Sequence, residues 1–94
     1  VTIDISFLEL TWLQVYTDGI LLIDGEFPAG VKTSAQADKE LIINVGNAGG
    51  LSFLLNGKPA KALGRVGEVF KDIRITPENY QDFLQDKTAK GSSR

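Results

Sequence analysis

Glu40-Leu41-Ile42-Ile43-Asn44-Val45-Gly46-Asn47-Ala48-Gly49-Gly50-Leu51-Ser52-Phe53-Leu54-Leu55-Asn56-Gly57-Lys58 is the stretch that decides the fold. Two apolar runs flank a glycine-rich connection, and the second run stops at Asn-Gly, the strongest short hairpin signal. Strand side chains alternate, so Leu41, Ile43 and Val45 share one face and Leu51, Phe53 and Leu55 share another. Both strands belong at the centre of a small antiparallel core. The link Gly46-Asn47-Ala48-Gly49-Gly50 reads as a connection that needs left-handed backbone torsions. A phosphate-cradling loop would lead into a helix, whereas the segment that follows alternates like a strand and no Lys-Ser/Thr pair follows.

Working outward, Thr2 to Phe7 alternates with Ile3, Ile5 and Phe7 on one face, and Leu8 and Leu10 then fall on the opposite parity. Such a flip means a bulge, a corner or a change of sheet. Thr11 to Thr17 sets Leu13 and Val15 against Trp12, Gln14 and Tyr16, and Asp18-Gly19 ends it with hairpin chemistry. Ile20 to Phe27 is its partner, almost continuously apolar at its start and therefore expected to be covered on both sides there. Gly25 within it suggests a bulge or a close backbone approach. Pro28-Ala29-Gly30 is a turn, Val31 to Ala37 an edge strand, and Asp38-Lys39 the turn into the central strand.

Downstream, Lys58 to Gly67 reads as a structured loop. Glu68 to Ile75 is the last strand, with Val69, Ile73 and Ile75 on one face and Phe70, Asp72 and Arg74 on the other. Thr76-Pro77 carries helix-start chemistry, and Tyr80, Phe83 and Leu84 give the following segment an apolar stripe, so a helix is expected from Pro77 to Asp86. The fold class is all-β: a small antiparallel β-sandwich of about seven short strands over residues 1–76, one C-terminal α-helix over 77–86, and a flexible tail over 87–94.

Ninety-four residues make one domain. A net charge of −2 argues against binding nucleic acid by counterion release. Residues 51–75 nevertheless gather Lys58, Lys61, Arg65, Lys71 and Arg74, either as solvated faces or as a basic patch for an acidic partner. The chain has neither Cys nor His, which removes disulfides, Ser-His and Cys-His catalysis, and ordinary zinc sites. Asp24/Glu26 and Asp38/Glu40 read as same-face residues of strands and turn ends rather than catalytic pairs. No run is long and apolar enough to span a membrane. A chain opening at Val1 reads as a piece of a longer protein, anchored or targeted by a segment outside it. Trp12 and Tyr16, on the face opposite Leu13 and Val15, are either core or an aromatic shelf for sugar rings or a partner protein, and Phe70 poses the same alternative. No cofactor or metal is expected.

With these residues laid out, the chain resembles the C-terminal domain of RodZ-type bacterial cell-shape proteins from about Ser6 to Ile75. The carriers are Trp12 with Val15 and Asp18-Gly19, then Gly25, Ala29-Gly30, Gly46-Asn47-Ala48-Gly49-Gly50, Asn56-Gly57-Lys58, and Leu63-Gly64 with Gly67-Glu68-Val69. The resemblance implies a non-enzymatic β domain on the extracytoplasmic side of the cytoplasmic membrane. It would be tethered in the full-length protein by a single span and would serve the machinery that elongates the cell wall. The expected partners are envelope or wall-synthesis proteins, met through an edge near Val31 to Ala37 or through the Trp12/Tyr16 face. The alternative is a wall glycan, peptidoglycan included, stacked on the same aromatics.

Overall fold

Apolar alternation and turn chemistry cut the chain into eight strands in the computed structural model, which describes residues 1–85. They are β1 (Thr2–Phe7), β2 (Thr11–Thr17), β3 (Ile20–Phe27), β4 (Lys32–Gln36), β5 (Leu41–Gly46), β6 (Leu51–Leu55), β7 (Lys58–Pro59) and β8 (Val69–Ile75). Two four-stranded antiparallel sheets face each other, the first in the order β4-β1-β6-β7 and the second in the order β3-β2-β5-β8. The eighth strand, beyond the expected seven, is β7, two residues cut from what reads as loop in the sequence.

The core lies between the sheets. Ile3, Ile5, Phe7, Ala35, Leu51, Phe53 and Leu55 enter it from the first sheet, and Leu13, Val15, Ile23, Leu41, Ile43, Val45 and Ile75 from the second. Each fully buried Ile or Leu contributes about 1.5–3 kcal/mol. At one end Phe7 stacks on Phe27 with ring centroids 4.8 Å apart, joining the sheets. The parity flip at Leu8 and Leu10 is a corner: β1 and β2 belong to different sheets, and both leucines are exposed. Asp18-Gly19 (φ 51° and 86°) and Asn56-Gly57 (φ 51° and 80°) both take the left-handed torsions of two-residue hairpins.

The glycine run behaves differently from expectation. Gly46, Gly49 and Gly50 are not at positive φ. Space, rather than torsion, excludes side chains: a Cβ on Gly49 would lie 2.3 Å from the Val66 nitrogen, and one on Gly50 would lie 2.5 Å from Thr11 Oγ1. The run arches from the second sheet to the first, and neighbouring segments crowd onto it. Gly50 O accepts from Leu8 N (2.8 Å) and Glu9 N (3.1 Å), Ala48 N donates to Glu68 O (2.8 Å), and Gly49 N donates to Arg65 O (3.0 Å). Buried Thr11 completes the junction, its hydroxyl donating to Glu9 O at 2.9 Å.

Three further expectations are corrected. Ile20, Leu21 and Leu22 are exposed rather than covered, because β3 is an edge strand. Its bulge sits at Leu22, where Val15 faces Ile23 and Tyr16 faces Leu21, while Gly25 stands in register opposite Leu13. A second bulge, in β8, sets Ile43 against Ile73 but Val45 against Phe70. Phe70 therefore shares Val45's inward parity, and Val69 turns to the outer face opposite Gly46.

The expected α-helix over 77–86 is a short 3-10 turn, Tyr80–Phe83. Thr76 closes only the turn ahead of it, its Oγ1 accepting from Glu78 N (3.2 Å) and Asn79 N (3.1 Å), while the N-cap of the 3-10 turn is Asn79, whose side chain makes no capping bond. The chain then straightens to pair Leu84 with Ala60 and to accept Lys61 N on Phe83 O at 2.7 Å. That pairing closes the β7–β8 flank of the sandwich, and too few residues remain for successive α turns. Asp86 and the tail expected to be flexible, 87–94, lie outside the described residues.

Candidate functional site

With Leu13 and Val15 turned inward, Trp12, Gln14 and Tyr16 turn to the outer face of the second sheet, where all three are half-buried. They form a shelf and not core. Three cross-strand rows run over it. In the first, Trp12 stands between Glu26 and Gly46, and Gly46 faces Val69. A Cβ on Gly46 would lie 3.4 Å from Trp12 Cε3, so the indole rests directly on the Gly46 backbone. At this end of the face Val69, across Gly46 from it, and Leu10, which precedes β2 on the same parity, are 61% and 60% exposed, and Val66, 62% exposed, lies in the turn docked on the arch.

Asn47 holds that end together. Its Nδ2 donates to Leu10 O at 3.1 Å and to Glu9 Oε1 at 3.3 Å, and its Oδ1 accepts from Gly67 N at 2.7 Å. The Leu8–Leu10 corner and the Arg65–Glu68 turn are thereby pinned to one side-chain amide. That turn is closed by Glu68 N donating to Arg65 O (3.1 Å), with Gly67 at φ 87° and Glu68 Oε1 accepting from Arg65 N at 2.6 Å.

The middle row is a polar ladder spanning all four strands. Asp72 N donates to Asn44 Oδ1 (2.8 Å), Asn44 Nδ2 to Gln14 Oε1 (3.2 Å), and Gln14 Nε2 to Asp24 Oδ1 (3.2 Å). Beyond it Tyr16 lies between Leu21 and Ile42, and Ile42 faces Arg74. The Arg74 guanidinium donates from Nε to Glu40 Oε1 at 2.7 Å.

Phe70 does not join this shelf. Its ring lies against Gly64, where a Cβ would come within 2.4 Å of Phe70 Cε2, at the end of the sandwich. Lys58, Lys61, Arg65, Lys71 and Arg74 are all exposed and spread along one flank, on β7, the loop after it and β8. Glu68, Asp72 and the Glu40–Arg74 pair break that strip up, so it makes a basic margin rather than a focused site. Asp24 and Glu26 lie in separate rows of the shelf, and Asp38 and Glu40 are in the turn before β5.

Asp18 works as a clasp. Its carboxylate accepts from Asp38 N (2.9 Å), Lys39 N (2.7 Å) and Glu40 N (2.9 Å), tying the β2–β3 hairpin to the β4–β5 turn. These backbone donors, Glu40 foremost, hold its pKa below the ordinary carboxylate value. Tyr80 also titrates below its ordinary value, chiefly through hydrogen bonding to the Asn56 side chain and then to Gln81.

Leu10 could be placed on the Trp12 face from parity alone. Val69 could not, because the β8 bulge that turns it outward has no sequence mark beyond an ordinary Lys71-Asp72 pair, and Val66 is placed only by the docking of the 65–68 turn on Asn47 and Gly49. Among the described residues no helix is long and apolar enough to cross a membrane, and no group of three or more acidic side chains could hold a metal ion.

Comparison with curated proteins and with solved structures gave no significant match. The family model for the RodZ C-terminal domain matches residues 4–73. That span starts in β1 and ends within β8, so it takes in both sheets, the arch and both hairpins. With 70 of its 94 residues matched, the chain belongs to the RodZ C-terminal domain family.

Proposed function

We propose that this domain is a non-enzymatic interaction module of a RodZ-like protein acting in cell shape and wall elongation, and that it docks a protein partner on the apolar end of its shelf. The observation that carries this reading is the Trp12 indole lying on Gly46, with exposed Val69 across Gly46 from it and exposed Leu10 at the corner before β2. Tryptophan is enriched among interface hot spots, and near-neutral neighbours such as these aliphatic side chains serve to exclude water around it. Family membership supports the cell-shape context. In this reading the domain stands on the extracytoplasmic side of the cytoplasmic membrane, held by an anchor outside this chain, and meets envelope or wall-synthesis proteins.

A photoreactive residue at Val69 in cells should cross-link to a membrane or wall-synthesis protein, and Trp12→Ala should abolish that product while leaving the fold intact. Recovery of no envelope protein from Val69, or cross-linking indifferent to Trp12→Ala, would remove the reading. Phosphatase and fluorescent-protein fusions to the full-length protein test the side of the membrane. Fluorescence without phosphatase activity places the domain inside and overturns that part.

The Asp24–Gln14–Asn44 ladder favours one second reading. Polar groups between aromatics at Trp12 and Tyr16, spaced about 13 Å along β2, suit the hydroxyls and ring faces of a wall glycan. Titration with muropeptides should then perturb the amide signals of Gln14 and Asn44 and the ring signals of both aromatics. Unmoved Trp12 and Tyr16 signals dismiss it.

A further inference from the structure

Three of the four sheet edges carry a device against pairing with another chain. β3 is bulged at Leu22 and sets Asp24 and Glu26 on its outer side. β8 is bulged between the Ile73 and Phe70 pairings. β7 is two residues long, contains Pro59, and runs into Ala60, which bridges Leu84. β4 differs: it pairs with β1 without a register shift, and no described strand lies beyond it.

Hydrogen bonds fix what the β4 edge presents. Val1 and Ala37 exchange both backbone bonds, Val1 N to Ala37 O at 2.6 Å and Ala37 N to Val1 O at 2.9 Å, and Phe7 N donates to Val31 O at 2.9 Å. In an antiparallel ladder such pairs alternate with pairs whose backbone groups point away. Thr33 and Ala35 are therefore the residues that bond to β1. The N–H and C=O groups of Lys32, Ser34 and Gln36 point to the open side.

We propose that this edge pairs with the same edge of a second copy, antiparallel about Ser34, so that the first sheet runs on from one molecule into the other. In that register Ser34 meets Ser34 of the second copy, and Lys32 meets Gln36 in both directions. Every outward backbone group then finds a partner, since each such pair exchanges two bonds. No like charges oppose each other. Lys32 falls diagonal to Asp38 of the second copy at both ends, within reach of a long side chain. Thr33 and Ala35 keep their inward parity, and the inner surface continues across the join. β3 lacks this self-complementarity: centring it on Asp24 or Gly25 sets carboxylate against carboxylate.

A five-residue edge buries less than a standard interface of about 1,200 Å² or more. Association of the free domain is therefore weak, and tethering of two copies in one membrane strengthens it by raising their effective concentration. Sedimentation of the 94-residue chain, up to about 1 mM, should show a monomer–dimer equilibrium. Ser34→Pro removes an N–H that points away from β1 and should leave a folded monomer. Ser34→Lys sets two ammonium groups across the axis and should do the same, and it decides the matter if the proline variant fails to fold. Gln36→Glu opposes Lys32 with a carboxylate and should tighten the dimer roughly fivefold at low salt. Trp12→Ala should not change the dimer, which separates this surface from the docking face. A chain monomeric at every concentration, or a dimer indifferent to Ser34→Lys and Ser34→Pro alike, overturns the proposal.

Discussion

Asp18 is a single exposed carboxylate on which three backbone donors converge. Its folded-state pKa lies below the unfolded value of 3.8, so its contribution is complete above that value and is lost as pH falls through the lowered one. Asp18→Asn should lower the urea midpoint at neutral pH and flatten the acid limb of the stability curve, and carboxyl NMR titration of the wild type should place Asp18 below 3.8. Glycines divide by cause in the same way. Gly57 stands in open space at φ 80°, so Gly57→Ala should cost about 1 kcal/mol in torsion alone. Gly49 has the Val66 backbone against it, and Gly49→Ala should cost about 3 kcal/mol, with the 65–68 turn displaced. Chemical denaturation of the two variants checks the order. Sequence marks both as glycine in a turn-like setting, and the difference between them exists only once Val66 has been brought to Gly49 from elsewhere in the chain.

Among elements, those whose signals are local were legible. The two hairpin turns, the alternating faces of β1, β2, β5 and β6, and the edge position of β4 follow from residue pattern and turn chemistry. The elements that departed are those whose conformation is set by a partner distant in sequence. Thr76 Oγ1 accepts backbone donors as its chemistry demands, yet it closes a turn rather than starting a helix, because Leu84 is drawn to Ala60 and the pairing outweighs the helical preference of the segment between them. Leu84→Ala should therefore loosen β7 together with the terminal turn. We expect a loss of about 2–3 kcal/mol by denaturation, with faster hydrogen exchange at the Lys61 amide, which bonds to Phe83 O. The exposed Ile20-Leu21-Leu22 run teaches the complementary lesson. Hydrophobicity reports that a strand exists, whereas position in the sheet decides whether it is covered.

Across the molecule, the chain passes between the sheets five times and pairs β1 with β6, setting Ile5 against Phe53. Non-local pairing of this kind slows folding to the millisecond-to-second range typical of β-sandwiches. Trp12, the sole tryptophan, provides the stopped-flow signal. Refolding within microseconds would contradict the topology. The shelf was half legible in sequence: Trp12, Tyr16 and Leu10 share a parity that can be read directly, while Val66 and Val69 arrive through a bulge and a docked turn. One consequence is mechanical. β1 lies inside its sheet with β4 on one side and β6 on the other, and Val1 sits at the pole opposite Leu10 and the arch. Polypeptide joined ahead of Val1 would thus pull along two ladders at once, in shear, and hold the indole at the far end of the body. A domain strung that way would take load along the strands of its first sheet, with the indole at the opposite pole from the point of attachment.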